Sequence, residues 1–139
     1  QLYLSVDAPN KELYSRIDNS VLPDAWERFM ESLSALSEMK DKTRTTLRLT
    51  LLKGINMTDV SGWAEQIKKA RPTFIEMKAY MFVGSSRLRL TIENMPRHHE
   101  VREFAEEVAK ASGYKIIDEK EESRVVLLIK EDFEGRIMR

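Results

Sequence analysis

The chain has 139 residues, 42% hydrophobic and 33% charged, enough for one globular domain or a piece of one with a real core. Lys+Arg and Asp+Glu both number 23, so the formal net charge is zero and any contact with nucleic acid has to come from a local basic patch. Cysteine is absent and His98 and His99 are the sole histidines, which excludes a disulfide framework and a thiolate-held zinc or iron–sulfur cluster in this chain, and argues against a histidine-rich metal site.

No stretch approaches eighteen apolar residues, and the amino terminus has no basic segment followed by an apolar run, so neither a membrane span nor a signal peptide is expected and the compartment reads as cytoplasmic. The sequence opens at Gln1 without a methionine, inside an apolar–polar alternation, which leads us to expect a chain cut from a longer one.

In chain order, residues 2–6 alternate with period two and stop at Asp7-Ala8-Pro9-Asn10, a strand running into a turn and then a polar connection. After Pro23, Trp26, Phe29, Met30, Leu33 and Leu36 fall on one helical face, with Asp24 as the expected cap. Residues 45–52 alternate again to Lys53-Gly54, and Thr58 or Asp59 opens a helix carrying Val60, Trp63, Ala64 and Ile67. Arg71-Pro72 closes it, Phe74 to Lys78 form a third strand, and a loop with Gly84-Ser85-Ser86 leads to Pro96 and a helix bearing Val101, Phe104, Ala105 and Val108, stopped by Gly113. Lys115–Glu119 and Val125–Ile129 read as a terminal hairpin, with a frayed end from Phe133. Three strand–helix units in succession favour parallel strands with right-handed crossovers, an α/β layer or part of a barrel. The stripe of Trp26, Phe29, Trp63 and Phe104 reads as core packing.

Side chains alternate across a strand, so Tyr3, Ser5 and Asp7 oppose Leu2, Leu4 and Val6, while Thr46, Arg48 and Thr50 oppose Leu47, Leu49 and Leu51. Likewise Glu76 and Lys78 oppose Ile75 and Met77. A doubly wound sheet or a tightly closed eight-stranded barrel would show apolar residues on both faces. The pattern fits helices on one side and a polar concavity on the other, as in an open barrel holding a large polar ligand, or a sheet whose polar side faces water. Ser5, Asp7, Arg48, Thr50, Glu76 and Lys78 crowd toward the carboxyl ends of the strands, where parallel sheets bind ligands.

Leu4-Ser-Val-Asp-Ala-Pro-Asn10, Leu47-Arg-Leu-Thr-Leu-Leu-Lys-Gly-Ile-Asn56, Phe74-Ile-Glu-Met-Lys-Ala-Tyr-Met-Phe-Val-Gly-Ser-Ser86 and Asn94-Met-Pro-Arg-His-His-Glu-Val101 resemble, in this order, segments of the 4-demethylwyosine synthases. The resemblance covers almost the whole chain, more weakly in the hairpin. It implies an α/β fold, the carboxyl-terminal half of a radical S-adenosylmethionine (SAM) partial (βα)6 TIM-like barrel: residues 1–95 would supply the last three strand units, and residues 96–139 a terminal helix and β-hairpin packed on the barrel. In that family a CxxxCxxC loop holds a 4Fe-4S cluster that reduces SAM, and the resulting radical starts carbon–carbon bond formation between pyruvate and N1-methylguanosine-37 of tRNA. The cluster loop, a second cluster and a lysine that engages pyruvate belong to the amino-terminal half. This chain departs from the family pattern in having no cysteine, and is expected to be inert by itself, to need that half as partner, or to self-associate through open barrel edges.

By position along such a barrel, Ser5, Asp7 and Thr50 would contact SAM, a hydroxyl and a carboxylate suiting ribose hydroxyls and an ammonium. Arg48, Lys53, Asn56, Glu76 and Lys78 would contact substrate, with Arg48 or Lys53 holding a carboxylate. Glu76 and Lys78 are the candidates for a chemical step, and Arg48 and Glu76 could equally form only an internal ion pair. Arg87, Arg89, Arg97 and His98, with His99, would form a basic rim for tRNA, whereas Lys68, Lys69 and Arg71 sit where a helix end favours cations in any case. Two rival readings remain open, a non-catalytic α/β domain binding RNA or a nucleotide, and a radical SAM enzyme of another substrate.

Overall fold

The computed structural model describes residues 2–18, 24–39, 42–81 and 92–130. Its elements are β1 (Leu2–Val6), α1 (Lys11–Asp18), α2 (Ala25–Glu38), β2 (Thr45–Leu51), α3 (Val60–Ala70), β3 (Phe74–Ala79), a 3-10 turn at Ile92–Asn94, α4 (His98–Ser112), β4 (Lys115–Lys120) and β5 (Val125–Ile129). The five strands make one sheet in the order β1-β2-β3-β5-β4. The first three are parallel, in register Leu4↔Leu47↔Ile75, and the hairpin joins antiparallel through β5 on β3. Among the described residues, no helix is long and apolar enough to cross a membrane.

Alternation explains why the sheet is covered on one side. Val6, Leu47, Leu49, Leu51, Ile75, Met77, Val126 and Leu128 are all nearly inaccessible and share one core with Leu33 and Leu36 of α2, Trp63 and Ile67 of α3, and Val101, Phe104 and Val108 of α4. Each large aliphatic side chain so buried contributes about 1.5–3 kcal/mol. Parallel strands need crossovers, and the α2 and α3 crossovers carry their apolar stripes onto this face.

Local chemistry fixes the helix ends. Asp59, at φ 50°, caps α3 by accepting from the Gly62 amide at 3.0 Å and also takes Asn10 Nδ2 at 2.9 Å. Gly62 is required there, because a β-carbon would collide with the Pro9 carbonyl oxygen of the β1–α1 turn. Gly113 ends α4 in the left-handed region, at φ 81°. Tyr114 follows it, buried, and donates to the Pro72 carbonyl; desolvation raises its phenol well above the ordinary value.

Two expectations need correction. The polar connection after β1 contains α1, whose first turn is capped by Asn10 Oδ1 accepting from the Leu13 amide at 2.9 Å. Its Tyr14 stacks on Phe29 and meets Trp26 edge-on, both at 5.4 Å, so Trp26 belongs to this half-buried aromatic cluster. Asp24 does not cap α2 with its side chain; Arg28 Nε, one turn on, takes that carboxylate at 2.8 Å and holds it below its ordinary pKa.

Candidate functional site

The face of the sheet opposite the helices is built from rows of cross-strand neighbours. The row at the amino-terminal ends of the parallel strands is Tyr3, Thr46, Phe74 and Ile129. Thr46, Phe74 and Ile129 are only 3%, 6% and 1% exposed, so the polar face expected at Thr46 is closed there. The open, polar surface lies nearer the carboxyl ends.

The middle row is Ser5, Arg48, Glu76, Leu127 and Asp118, and the next is Thr50, Lys78, Val125 and Lys120, with Asp7 just beyond the end of β1. Ser5, Asp7 and Lys78 are exposed and Arg48, Thr50 and Glu76 half-buried. Five of the six residues expected to form a site on alternation alone, Ser5, Arg48, Thr50, Glu76 and Lys78, therefore share one face of three adjacent strands, with Asp7 past the end of β1. Arg48 Nε donates to Glu76 Oε1 at 3.2 Å, and the Arg48 guanidinium carbon lies 4.6 Å from the centre of the Tyr3 ring. Glu76 and Tyr3 hold the guanidinium between them in the middle of the face, which limits its rotamers before any ligand arrives.

Asn56, expected at the mouth as a substrate contact, turns inward. It is completely buried; its Nδ2 donates to the Asp7 and Thr50 carbonyls, both at 2.8 Å, and its Oδ1 accepts from the Leu52 amide at 2.7 Å. Both amide hydrogens are thereby committed, and the side chain acts as a clamp joining the carboxyl ends of β1 and β2. Gln66 of α3 supports the same edge by donating to the Ala8 carbonyl at 2.8 Å.

Lys53, also expected at the mouth, reaches Glu100 Oε2 at 2.7 Å, while its backbone pairs with Asn94 through two hydrogen bonds of 2.8 and 2.9 Å. Glu100 also caps α4 by accepting from the Arg97 amide at 2.9 Å. The Lys53 ammonium and that amide hold the Glu100 carboxyl below its ordinary value. The Asn94-Met-Pro-Arg97 segment is thus docked beside the carboxyl end of β2.

Of the expected basic rim, Arg87 and Arg89 lie outside the described residues. Arg97 and His99 are exposed. His98 is drawn away from the rim, its Nε2 lying 2.8 Å from Glu119 Oε1 of β4, and Arg102 pairs with the other oxygen of the same carboxylate. Among the described residues, no three His, Cys, Asp or Glu side chains converge where a metal could sit.

Sequence reasoning missed the contribution of the hairpin to the open face. Val125-Val126-Leu127-Leu128-Ile129 has no polar alternation to divide its faces. In β4 the register shifts between Ile116 and Asp118, so that period two, counted from Lys115, assigns every later residue to the wrong side. With the bulge, Asp118 and Lys120 face the open surface, and Glu119 faces α4, where His98 and Arg102 await it.

A family model described as wyosine base formation matches residues 69–130. The chain is 52% identical over 133 residues to a Pyrococcus abyssi protein named S-adenosyl-L-methionine-dependent tRNA 4-demethylwyosine synthase, in an alignment that covers 95% of this chain and 38% of that protein. The Pyrococcus horikoshii protein of the same name is 51% identical with the same coverage. Among solved structures, that of TYW1 with a lysine-pyruvate adduct bound matches with a TM-score of 0.80 at 38% identity, over 92% of this chain and 40% of that one. The chain spans about two-fifths of the length of these relatives, and the resemblance read from its segments is shown over nearly all of it.

Proposed function

We propose that this chain, homologous to the tRNA 4-demethylwyosine synthases, forms the SAM- and substrate-facing carboxyl-terminal half of a radical SAM partial (βα)6 barrel that makes 4-demethylwyosine from N1-methylguanosine-37 of tRNA and pyruvate. Residues 1–95 act as the last three barrel units and residues 96–139 as the helix and hairpin that extend them. The observation that carries this reading is the open face, where Ser5, Arg48, Thr50, Glu76 and Lys78 lie on neighbouring strands at the carboxyl-terminal part of three parallel strands whose other face is buried under helices, with Asp7 following directly on β1.

The residues present suit SAM and do not suit its cluster. Ser5 and Asp7 offer a hydroxyl and a carboxylate to ribose hydroxyls or an ammonium, and Thr50 offers a second hydroxyl. Arg48, already oriented by Glu76 and Tyr3, presents its remaining N–H groups to a carboxylate of SAM or pyruvate. With no cysteine here, the 4Fe-4S clusters belong to the amino-terminal half, as does the lysine that engages pyruvate. SAM, once bound, supplies the radical chemistry of a carbon–carbon lyase. The chain's own residues orient the reactants, and Glu76 and Lys78 stand where a proton can be held or passed near the base. The exposed Arg97, with Arg87 and Arg89, contributes phosphate contacts to the anticodon loop. In the absence of its amino-terminal half the chain is inactive.

The test is production of 4-demethylwyosine by the full-length protein with reconstituted clusters, given SAM, pyruvate and tRNA containing N1-methylguanosine. Arg48→Met should cut kcat/KM at least tenfold with the fold intact. No product from the wild type under conditions where its clusters are reduced would sink the reading.

A further inference from the structure

Beside Glu76 and Lys78, the terminal hairpin adds to the open face four residues, Asp118, Lys120, Val125 and Leu127, that the reading above leaves without a role. Val125 and Leu127 are half-buried and form the floor of this patch. Leu127 lies between Glu76 and Asp118 in one row, and Val125 between Lys78 and Lys120 in the next. Strands about 4.8 Å apart put each flanking pair about 10 Å apart at the backbone, and the two rows are separated by about 7 Å. The result is an aliphatic floor with carboxylates along one edge and ammonium groups along the other. Lys78, Lys120 and Asp118 are exposed, and neither lysine has an ion-pair partner among the described residues.

This polarity depends on the β4 bulge. Without the extra residue, Lys120 and Asp118 would turn to the helix side and Glu119 to the open side. The contacts of Glu119 with His98 and Arg102 of α4 hold the shifted register, so the orientation of the two exposed groups is built into the fold.

From this arrangement we infer that the hairpin face binds one purine nucleotide of an RNA strand, one that bears an exocyclic amino group. The base lies on Val125 and Leu127, its amino and ring N–H groups donate to Asp118, and the adjoining phosphate meets Lys120, which leaves Glu76 and Lys78 to the nucleotide beside it. A uniformly basic surface would take the backbone alone; carboxylates beside an apolar floor favour a donor-bearing base edge. A surface with as many acidic as basic groups also accords with a chain of zero net charge. The inference rests on the proposed function, in that the strand is the tRNA and the nucleotide is a neighbour of the one modified.

The experiment measures binding of the full-length protein to the tRNA anticodon stem-loop over a series of salt concentrations. Lys120→Ala should weaken binding about fivefold and lower the slope of log K against log salt by about one, whereas Lys110→Ala, on the exposed side of α4, should leave both unchanged. Asp118→Asn should abolish a preference for guanosine over inosine, which lacks the amino group, at one loop position. Thermal midpoints of all three variants within a degree or two of the wild type show an intact hairpin. Wild-type affinity and slope in Lys120→Ala would overturn the inference and leave the proposed function standing. A changed slope with base preference untouched in Asp118→Asn would likewise overturn it, reducing the patch to a phosphate contact. Absence of tRNA binding by the wild type would overturn both.

Discussion

The two faces of the same strands have opposite duties. Between Leu49 and Met77 on the helix side there is no accessible surface, while one residue along each strand Arg48 and Glu76 form an ion pair that is partly open to solvent. Because side chains alternate, the buried core and the proposed site fall on residues of opposite parity and can be altered separately. The sharpest way to break this division is at the core. Leu49→Ala leaves a cavity in the core beneath the helices and should cost about 2–5 kcal/mol in a denaturant titration. A loss below about 1 kcal/mol would mean the helix side is not the stabilising face.

The ends of the strands are the next test, because there a buried polar residue serves the open face. Asn56→Ala removes three hydrogen bonds and leaves the Asp7 and Thr50 carbonyls and the Leu52 amide without it. A loss of about 3 kcal/mol is expected, accompanied by weaker ligand binding because Asp7 is no longer held in register with Thr50. Gly62→Ala should cost about 1–3 kcal/mol, since the β1–α1 turn must withdraw from α3 to admit a methyl group. Both are read from the shift of the unfolding midpoint at unchanged slope.

On the open face the sign of the comparison reverses. Arg48→Met should change stability by less than about 1 kcal/mol, because the pair with Glu76 is half-exposed, yet its loss should be visible in kcat/KM of the full-length protein. If stability fell by several kcal/mol and the kinetics of the remaining folded protein were unchanged, Arg48 would be a structural ion pair and the site would lie elsewhere.

How much of this was legible in the sequence follows the same division. Period two exposes β1, β2 and β3 because each strand has one polar side, and five of the six residues it groups, all but Asp7 past the end of β1, do share a face. The hairpin strand Val125–Ile129 is apolar on both sides, so its register stayed hidden, and one inserted residue in β4 reverses the assignment of Asp118, Glu119 and Lys120. Helix α1 escaped notice because eight residues offer too few apolar positions to show a 3.6-residue period; Asn10 as a cap with Glu12 in the first turn was the available signal. Asn56 and His98 were misread for a shared reason. Both are polar residues in loops or at helix starts, where exposure is the default, and only tertiary structure brings the Asp7 carbonyl or the Glu119 carboxylate within reach.

The smallest expected effect lies where the two faces meet, at Lys53 and Glu100. The carboxyl of Glu100 is held below its ordinary pKa by the Lys53 ammonium first and the Arg97 amide second, so the folded state binds a proton less readily than the unfolded chain. The stabilisation is therefore fully present above the unfolded carboxyl pKa and is lost as pH falls through the lower, folded value. Glu100→Gln keeps an acceptor for the Arg97 amide and removes only the charge. At neutral pH it should be less stable than the wild type by at most about 1 kcal/mol, and the difference should vanish once the pH falls below the lowered value of the folded carboxyl. The absence of any difference at neutral pH would instead assign the role of Glu100 to its cap alone, which the glutamine keeps, and would free Lys53 to serve the open face as first read from the sequence.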